Sequence, residues 1–293
     1  MKTQLHVSGL AMLARCGEAF RRRYLEGHKI PPSVSIIIGV ATDRSVTADL
    51  ANKIAAGELL PAEQIKDTAR DALVETWERG YTLREEDEEN QSEEKVKANA
   101  IDSAVSLASL HHEKLAPALK PSHVQRNWVL DISDLDIQLA GTIDIQEGRA
   151  SIRDTKTSKK APPADAAAES LQLSAYALAV KMHDGAIPER VALDYLIRTK
   201  QPKFVILESK RTNEEFMPLL ERVYQASRVL ESGLFMPAPV DSWYCSARWC
   251  GYFATCKYAV RPVSVAMNGV IQIDAYKNGR TEDATRTAEF NAG

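Results

Sequence analysis

The stretch GTIDIQEGRASIRDTKTSKK carries the residues best suited to chemistry, with Asp144 ten positions ahead of Asp154-Thr155-Lys156. Residues two apart on a strand share a face, so Asp154 and Lys156 point the same way. A two-residue turn at Glu147-Gly148 would put Asp144 on the other face. An odd-length or bulged turn, such as Gly148–Ala150, brings Asp144 onto their face and opposite Asp154, and this is the turn expected. Two converging carboxylates repel unless a cation sits between them, and hard oxygen ligands suit Mg²⁺ or Mn²⁺. A lysine beside them can stabilise a phosphate's developing charge or orient an attacking water. Taken alone, Asp-Thr-Lys reads as a surface ion pair, and its neighbours are what change that. Gln172 and Tyr176 stand at i and i+4 of a helix otherwise apolar in LQLSAYALA. A polar pair on such a helix needs partners, which an active site or a nucleic-acid strand provides.

A second constellation is built of sulfur. The cysteines are Cys16, Cys245, Cys250 and Cys256, three of them within WYCSARWCGYFATC. Four in a long chain argue against a disulfide framework. Crowded thiolates share a soft metal or an iron–sulfur cluster. Zinc favours two close pairs; one distant cysteine plus C-x4-C-x5-C fits a cluster better. Cysteines packed around Trp249 and Tyr252, or a zinc-bound structural protein, remain the alternatives. With Cys16 as fourth ligand, a cluster would staple the first helix to the C-terminal segment.

The elements that must position these groups can be read from the pattern. Ser8 caps a helix carrying Leu10, Leu13, Phe20 and Tyr24, with Cys16 inside it and Gly27 beyond its end. Val34–Ile38 leads through Gly39 into a helix reaching Ala56. Residues 62–80 and 92–116 also read as helices, joined by an exposed acidic connection, Glu85–Glu94. Val124–Leu130, Asp136–Ile145 and Ala150–Lys156 are strands. Pro162-Pro163 precedes a helix, Ala164–His183. Strands Val191–Arg198 and Phe204–Ser209 follow, then a helix from Thr212 to Glu231. The fold class expected is α/β, a central sheet flanked by helices with a helical N-terminal part. Residues 1–260 are expected to form one domain closed by the cluster, and residues 261–293 a tail or appendage.

Composition limits the function. The 293 residues hold 37 Lys+Arg against 40 Asp+Glu, so any nucleic-acid surface must be local, as at Arg21–Arg23 or Arg153–Lys160. At 44% hydrophobic the chain can bury a sizeable core. No apolar run reaches the roughly 20 residues of a bilayer span, and MKTQLHVSGL lacks the features of a signal peptide. A soluble, cytoplasmic protein without membrane contact is expected. His6, His28, His111, His112, His123 and His183 have no metal-ligand spacing and are expected to be solvated. Trp77, Trp128, Trp243 and Trp249 are expected to pack rather than stack on bases, with Trp249 shielding a cluster. No helix-turn-helix or zinc-finger reader is visible.

The order Cys16, Gly39-x-x-x-Asp43, Asp144, Asp154-x-Lys156, Gln172-x-x-x-Tyr176 and three cysteines resembles the RecB-like branch of the PD-(D/E)XK nuclease superfamily. The likeness covers residues 8–258 and is greatest to members with an iron–sulfur staple: the AddB nuclease domain, CRISPR-associated RecB-like exonucleases and related phage exonucleases. It implies a restriction-endonuclease-like core with a C-terminal Cys-rich segment. Asp144 and Asp154 match the metal carboxylates, Thr155 supplies a carbonyl ligand, and Lys156 matches the catalytic lysine. Gln172 and Tyr176 match the motif that helps hold site and DNA. The four cysteines match the ligands of a 4Fe–4S cluster. Asp43 stands where the family usually has histidine, and as a carboxylate can still bind the ion. Gln125 stands where many members have glutamate, and Cys245 and Cys250 are wider apart than the family's usual pair. The implied activity is a Mg²⁺- or Mn²⁺-dependent exonuclease acting on single-stranded or duplex DNA ends. The implied setting is DNA recombination, repair, phage DNA metabolism or CRISPR-type processing, with partner proteins of a recombination or adaptation complex and oligomerisation left open. The alternative is a catalytically weak iron–sulfur DNA-binding subunit of a larger complex.

Overall fold

The computed structural model describes residues 2–83, 91–239 and 241–259. In chain order the elements are β1 (Thr3–His6), α1 (Val7–Arg15), α2 (Gly17–Phe20), α3 (Val34–Ala56), α4 (Ala62–Glu78), α5 (Glu93–Lys114), β2 (His123–Ile132), β3 (Ile137–Glu147), β4 (Ser151–Ser158), α6 (Leu171–Asp184), β5 (Arg190–Ile197), β6 (Lys203–Ser209) and α7 (Met217–Ser232). All belong to one unit, Met1–Tyr258. Among the described residues no helix is long and apolar enough to cross a membrane.

Six strands form one mixed sheet in the order β1-β3-β4-β5-β6, with β2 also paired to β3. β2 runs antiparallel to β3 from His123↔Gln146 to Ile132↔Ile137 and so takes one edge of it. The other edge is shared. Parallel β1 pairs with Ile137–Ala140, and antiparallel β4 pairs only with Ile145–Glu147. Between them, at residues 141–144, β3 and β4 part. β4 then runs parallel to β5 from Ser151↔Arg190 to Ser158↔Ile197. β5 is buried along nearly its whole length, as a strand covered on both faces must be.

Each face of the sheet carries its own helical layer. On one, Leu10, Leu173, Val180, Leu219 and Val223 from α1, α6 and α7 cover Ile143, Ile152 and Leu193. On the other, α3, α4 and α5 join Ile37, Leu73 and Leu107 to Leu196 of β5. A buried pair lies within the sheet: the Arg153 guanidinium donates to both Asp194 oxygens at 2.7 and 2.8 Å. Removing one partner of such a pair costs about 3–5 kcal/mol, because the other is left charged and dry.

The β3–β4 turn is odd. Glu147 pairs with Ser151 around Gly148, Arg149 and Ala150, closed by the Ala150 N–H on the Glu147 carbonyl at 3.0 Å. Gly148 takes φ +57°, where a side chain would be strained.

Several expectations need correction. A short strand, β1, precedes the first helix, and His6 rather than Ser8 holds the N-cap position. Cys16 does not lie within a helix. It breaks the helix with φ −160°, ψ 105°, turning its thiol out of the helical path. α6 begins at Leu171 rather than 164, because the Ser170 hydroxyl caps it by accepting from the Leu173 N–H at 3.2 Å. His111 is fully buried, makes no side-chain hydrogen bond, and is pushed down to about 3 by burial and by Arg153 and His112, so it is neutral. His112 bonds Asp49 at 2.8 Å. Trp77 and Trp128 are core residues as expected, but Trp243 is 65% exposed. Most of the acidic connection, and all of residues 261–293, lie outside the described residues.

Candidate active site

The carboxylate constellation forms where β3 and β4 part. Asp154 and Lys156 share a face of β4, with the Lys156 ammonium 2.6 Å from Asp154 Oδ2. That contact pairs the buried Asp154 Oδ2 directly with a cation. Lys156 also donates to Gln172 Oε1 at 2.9 Å. Gln172 Nε2 lies 2.6 Å from the Tyr176 hydroxyl, which reaches back to Asp154 Oδ1 at 3.5 Å. The i, i+4 spacing on α6 thus closes a ring of four side chains with i, i+2 spacing on β4. Tyr176 is held edge-on by Trp128, with centroids 6.3 Å apart. Arg211, which the sequence did not single out, anchors the start of α6. Its guanidinium donates to the Ala167 and Ser170 carbonyls and to Ser174 Oγ.

Asp144 reaches the same place from β3, where its Oδ2 accepts the Thr155 N–H at 3.0 Å. The strand is irregular here. Ile143 packs beneath α6, whereas Ile145 joins Val46 and Leu50 of α3 in a separate cluster. A regular strand would put both on one face. The ladder between Val124↔Ile145 and Arg126↔Ile143 skips Gln125 and Asp144, and Gln125 takes φ +48°. A side chain held in that region costs about 1–3 kcal/mol, and such strain clusters at functional sites.

The third carboxylate comes from α3. Gly39 lets this helix approach β4, since a Cβ there would stand 3.1 Å from Thr157 Oγ1. One turn on, Asp43 accepts from Gln125 Nε2 through both oxygens, at 3.2 and 3.3 Å.

These carboxylates shift one another. Asp144 is pushed up to about 8 by burial, then by the charges of Asp154 and Asp43. Asp43 is pushed up to about 6 by burial and by Asp154. Asp154 is raised by burial against the lowering pull of Lys156. Burial alone would lower Lys156, but the Asp154 carboxylate outweighs it, and the ammonium is held above its ordinary range. Tyr176 is raised by burial and by the Asp154 and Asp144 charges.

The donor set fits a hard divalent cation. Its members are oxygen atoms, the carboxylates disfavour one another's charge, and Thr155 Oγ1 is buried without a hydrogen bond. Among the described residues no three acidic, histidine or cysteine side chains converge as tightly as the ligands of one ion.

The cysteines also gather. Cys16 Sγ accepts the Ala238 N–H at 3.3 Å and shares a cluster with Cys250, Tyr252, Tyr244 and Cys245. No disulfide joins any of the four. The thiols of Cys245 and Cys250 are raised by burial first, and further by the other cysteines, Cys16 and Cys256 among them. An iron–sulfur cluster would be held by thiolates such as these. Four free thiols in one partly apolar neighbourhood fit such a group.

The sequence profile of the PD-(D/E)XK nuclease superfamily matches residues 4–257. The crystal structure of a "Putative exonuclease" from Eubacterium rectale has a TM-score of 0.57 at 11% identity, covering 91% of this chain and 94% of that one. At that identity the likeness shows the fold alone, a mixed sheet flanked by helices. A second solved structure, of SSO0001, has a TM-score of 0.40 at 10% identity, over 89% of each chain. No curated protein matches the chain.

Proposed function

Since this chain belongs to the PD-(D/E)XK nuclease superfamily, we propose that it is a metal-dependent DNA exonuclease of the RecB-like branch, with an iron–sulfur staple. The observation that carries the reading is the ring of Asp154, Lys156, Gln172 and Tyr176 beside Asp144. Asp144 and Asp154, with Asp43 and the Thr155 carbonyl, would hold Mg²⁺ or Mn²⁺. When bound, such an ion supplies a Lewis acid for the phosphodiester and an acidified water.

The protein's own groups do the rest. Lys156, raised and clamped between Asp154 and Gln172, stays an ammonium. It serves as a fixed positive charge for the oxygens of the attacked phosphate rather than as a base. Gln172 and Tyr176 fix its direction, and α6 buries Tyr176 while leaving Gln172 half-buried beside Lys156. Attack in line by water leaves a 5′-phosphate on the product. Cys16, Cys245, Cys250 and Cys256 would hold a 4Fe–4S cluster that ties the break between α1 and α2 to the C-terminal segment.

The test is degradation of end-labelled linear single-stranded and duplex DNA with Mg²⁺ or Mn²⁺, beside closed circles and the Asp154→Ala chain. The reading expects metal-dependent loss of linear DNA, sparing of circles, and loss of activity in the variant. Equal inertness of both chains, with iron and sulfide intact, would move the DNA-binding subunit ahead. Zinc without iron in anaerobically prepared protein would replace the cluster with a zinc site.

A further inference from the structure

We infer that a groove beside the cysteine segment is a track for a single nucleic-acid strand, its aromatic rings taking bases and its cations taking phosphates. This rests on the proposed DNA-cutting function and adds where the strand lies. The groove encloses about 740 Å³. Arg23, Lys29, Arg79 and Arg248 line it, with Tyr244 and Trp249. Among the described residues that line it there is no carboxylate, although acids outnumber bases 40 to 37 in the whole chain. Lys29 makes no ion pair among the described residues, while Arg79 pairs with Glu75.

The aromatic side decides between anionic partners. Trp249 stands edge-on to the exposed Trp243 at 5.5 Å, and the Arg248 guanidinium lies over the Trp249 ring at 5.4 Å. Arg15 similarly lies 4.9 Å from the Tyr244 centroid. Rings and guanidinium planes stack on unpaired bases. An acidic peptide offers no such faces, and a duplex hides them.

The groove begins on the helix that carries Asp43 and contains none of the three carboxylates. Ser33 and the 54%-exposed Ile36, at the start of α3, line it. Asp43 is seven residues beyond Ile36, two turns on along nearly the same face and about 10 Å farther up the helix. At about 3.4 Å per stacked nucleotide that is some three nucleotides. A strand in the groove would therefore present its backbone to the site a few nucleotides away.

The test uses the full chain with Asp154→Ala, in EDTA, titrated with a fluorescein-labelled 15-nucleotide oligothymidylate and a duplex of equal length, followed by anisotropy at several salt concentrations. Adding Lys29→Glu and Arg248→Glu should weaken single-strand binding tenfold or more. It should also reduce the log–log salt slope by about 1.4, at about 0.7 per phosphate. Lys120→Glu with Lys203→Glu makes the same charge change on exposed sites elsewhere and should stay within twofold of the parent. Melting curves check folding, and Lys29→Ala carries the comparison if the double reversal fails to fold. A groove pair within twofold of the parent, or a control pair equally weakened, would overturn the track. So would binding of poly-glutamate without binding of the oligonucleotide, which would make the groove a protein-docking surface. Wild-type turnover separates the two readings. A chain that cuts DNA with an indifferent groove loses only the track, and one that never cuts but binds through the groove loses only the nuclease.

Discussion

Gln125 and Asp43, 82 residues apart, meet amide to carboxylate, with one Nε2 shared between both oxygens at 3.2 and 3.3 Å. Both are positions where the carboxylate site departs from the pattern the sequence resembles, and the fold pairs them. A neutral amide here orients Asp43 and adds no fourth negative charge to Asp144 and Asp154. Gln125 occupies a strained backbone position to do so.

Asp43→Asn should therefore separate stability from function. Removing one of three mutually repelling groups should stabilise the metal-free protein at pH 8 by about 1–2 kcal/mol, given that a pKa unit is worth about 1.4 kcal/mol. Half-maximal activation by Mn²⁺ should need at least tenfold more metal. Denaturant melts and a Mn²⁺ titration check both, and a less stable variant would count against the repulsion.

The pH dependence of metal-free stability follows from the same groups. Asp43 and Asp144 titrate near 6 and 8 when folded, above their ordinary 3.8. The native state then holds protons that the unfolded state releases, so stability is fullest near pH 4 and falls as pH rises toward 8. Asp184 has the opposite sign: Arg126 holds it down to about 2, and its contribution is lost only on going below about pH 4. Saturating Mg²⁺ should flatten the fall between pH 5 and 8, because the cation replaces those protons. Thermal melts across that range, with and without the ion, make the comparison.

Lys156→Ala should cost about 10²–10³ in kcat, the range for losing one preorganised charge partner of a transition state. DNA affinity should change little. Tyr176→Phe removes only the hydroxyl that steadies Gln172 and Asp154, and should cost less. Single-turnover rates with prebound DNA read the difference; equal losses in the two variants would mean that Lys156 acts only by holding the ring together.

Cys16→Ala should lower iron and acid-labile sulfide in anaerobically purified protein. It should also raise hydrogen exchange in residues 241–258 while β4 and β5 stay protected. Unchanged iron would show that Cys16 is no ligand, whatever its contact with the Ala238 N–H.

Much of this site was legible from residue order alone. The parity of strand positions and the glycine after Glu147 predicted the odd turn, and the i, i+4 spacing put Gln172 and Tyr176 on one face. Both are local periodicities, which a linear sequence carries directly. The cysteines were legible as a group because three are neighbours in the chain. Other features were not. The switch of faces between Ile143 and Ile145, the strained Gln125 and the break at Cys16 leave no periodic trace. Each is imposed by packing from segments distant in the chain: α3 beside β2, or the Ala238 stretch beside α1. The burial of His111 and Arg211 escaped for the same reason. The sequence by itself determined which side chains are the candidates for the chemistry and which short-range pairs they form. Only the tertiary structure decided that Asp43 from α3, Asp144 from β3 and Asp154 from β4 share one desolvated corner, because charge coupling and burial depend on distance through space.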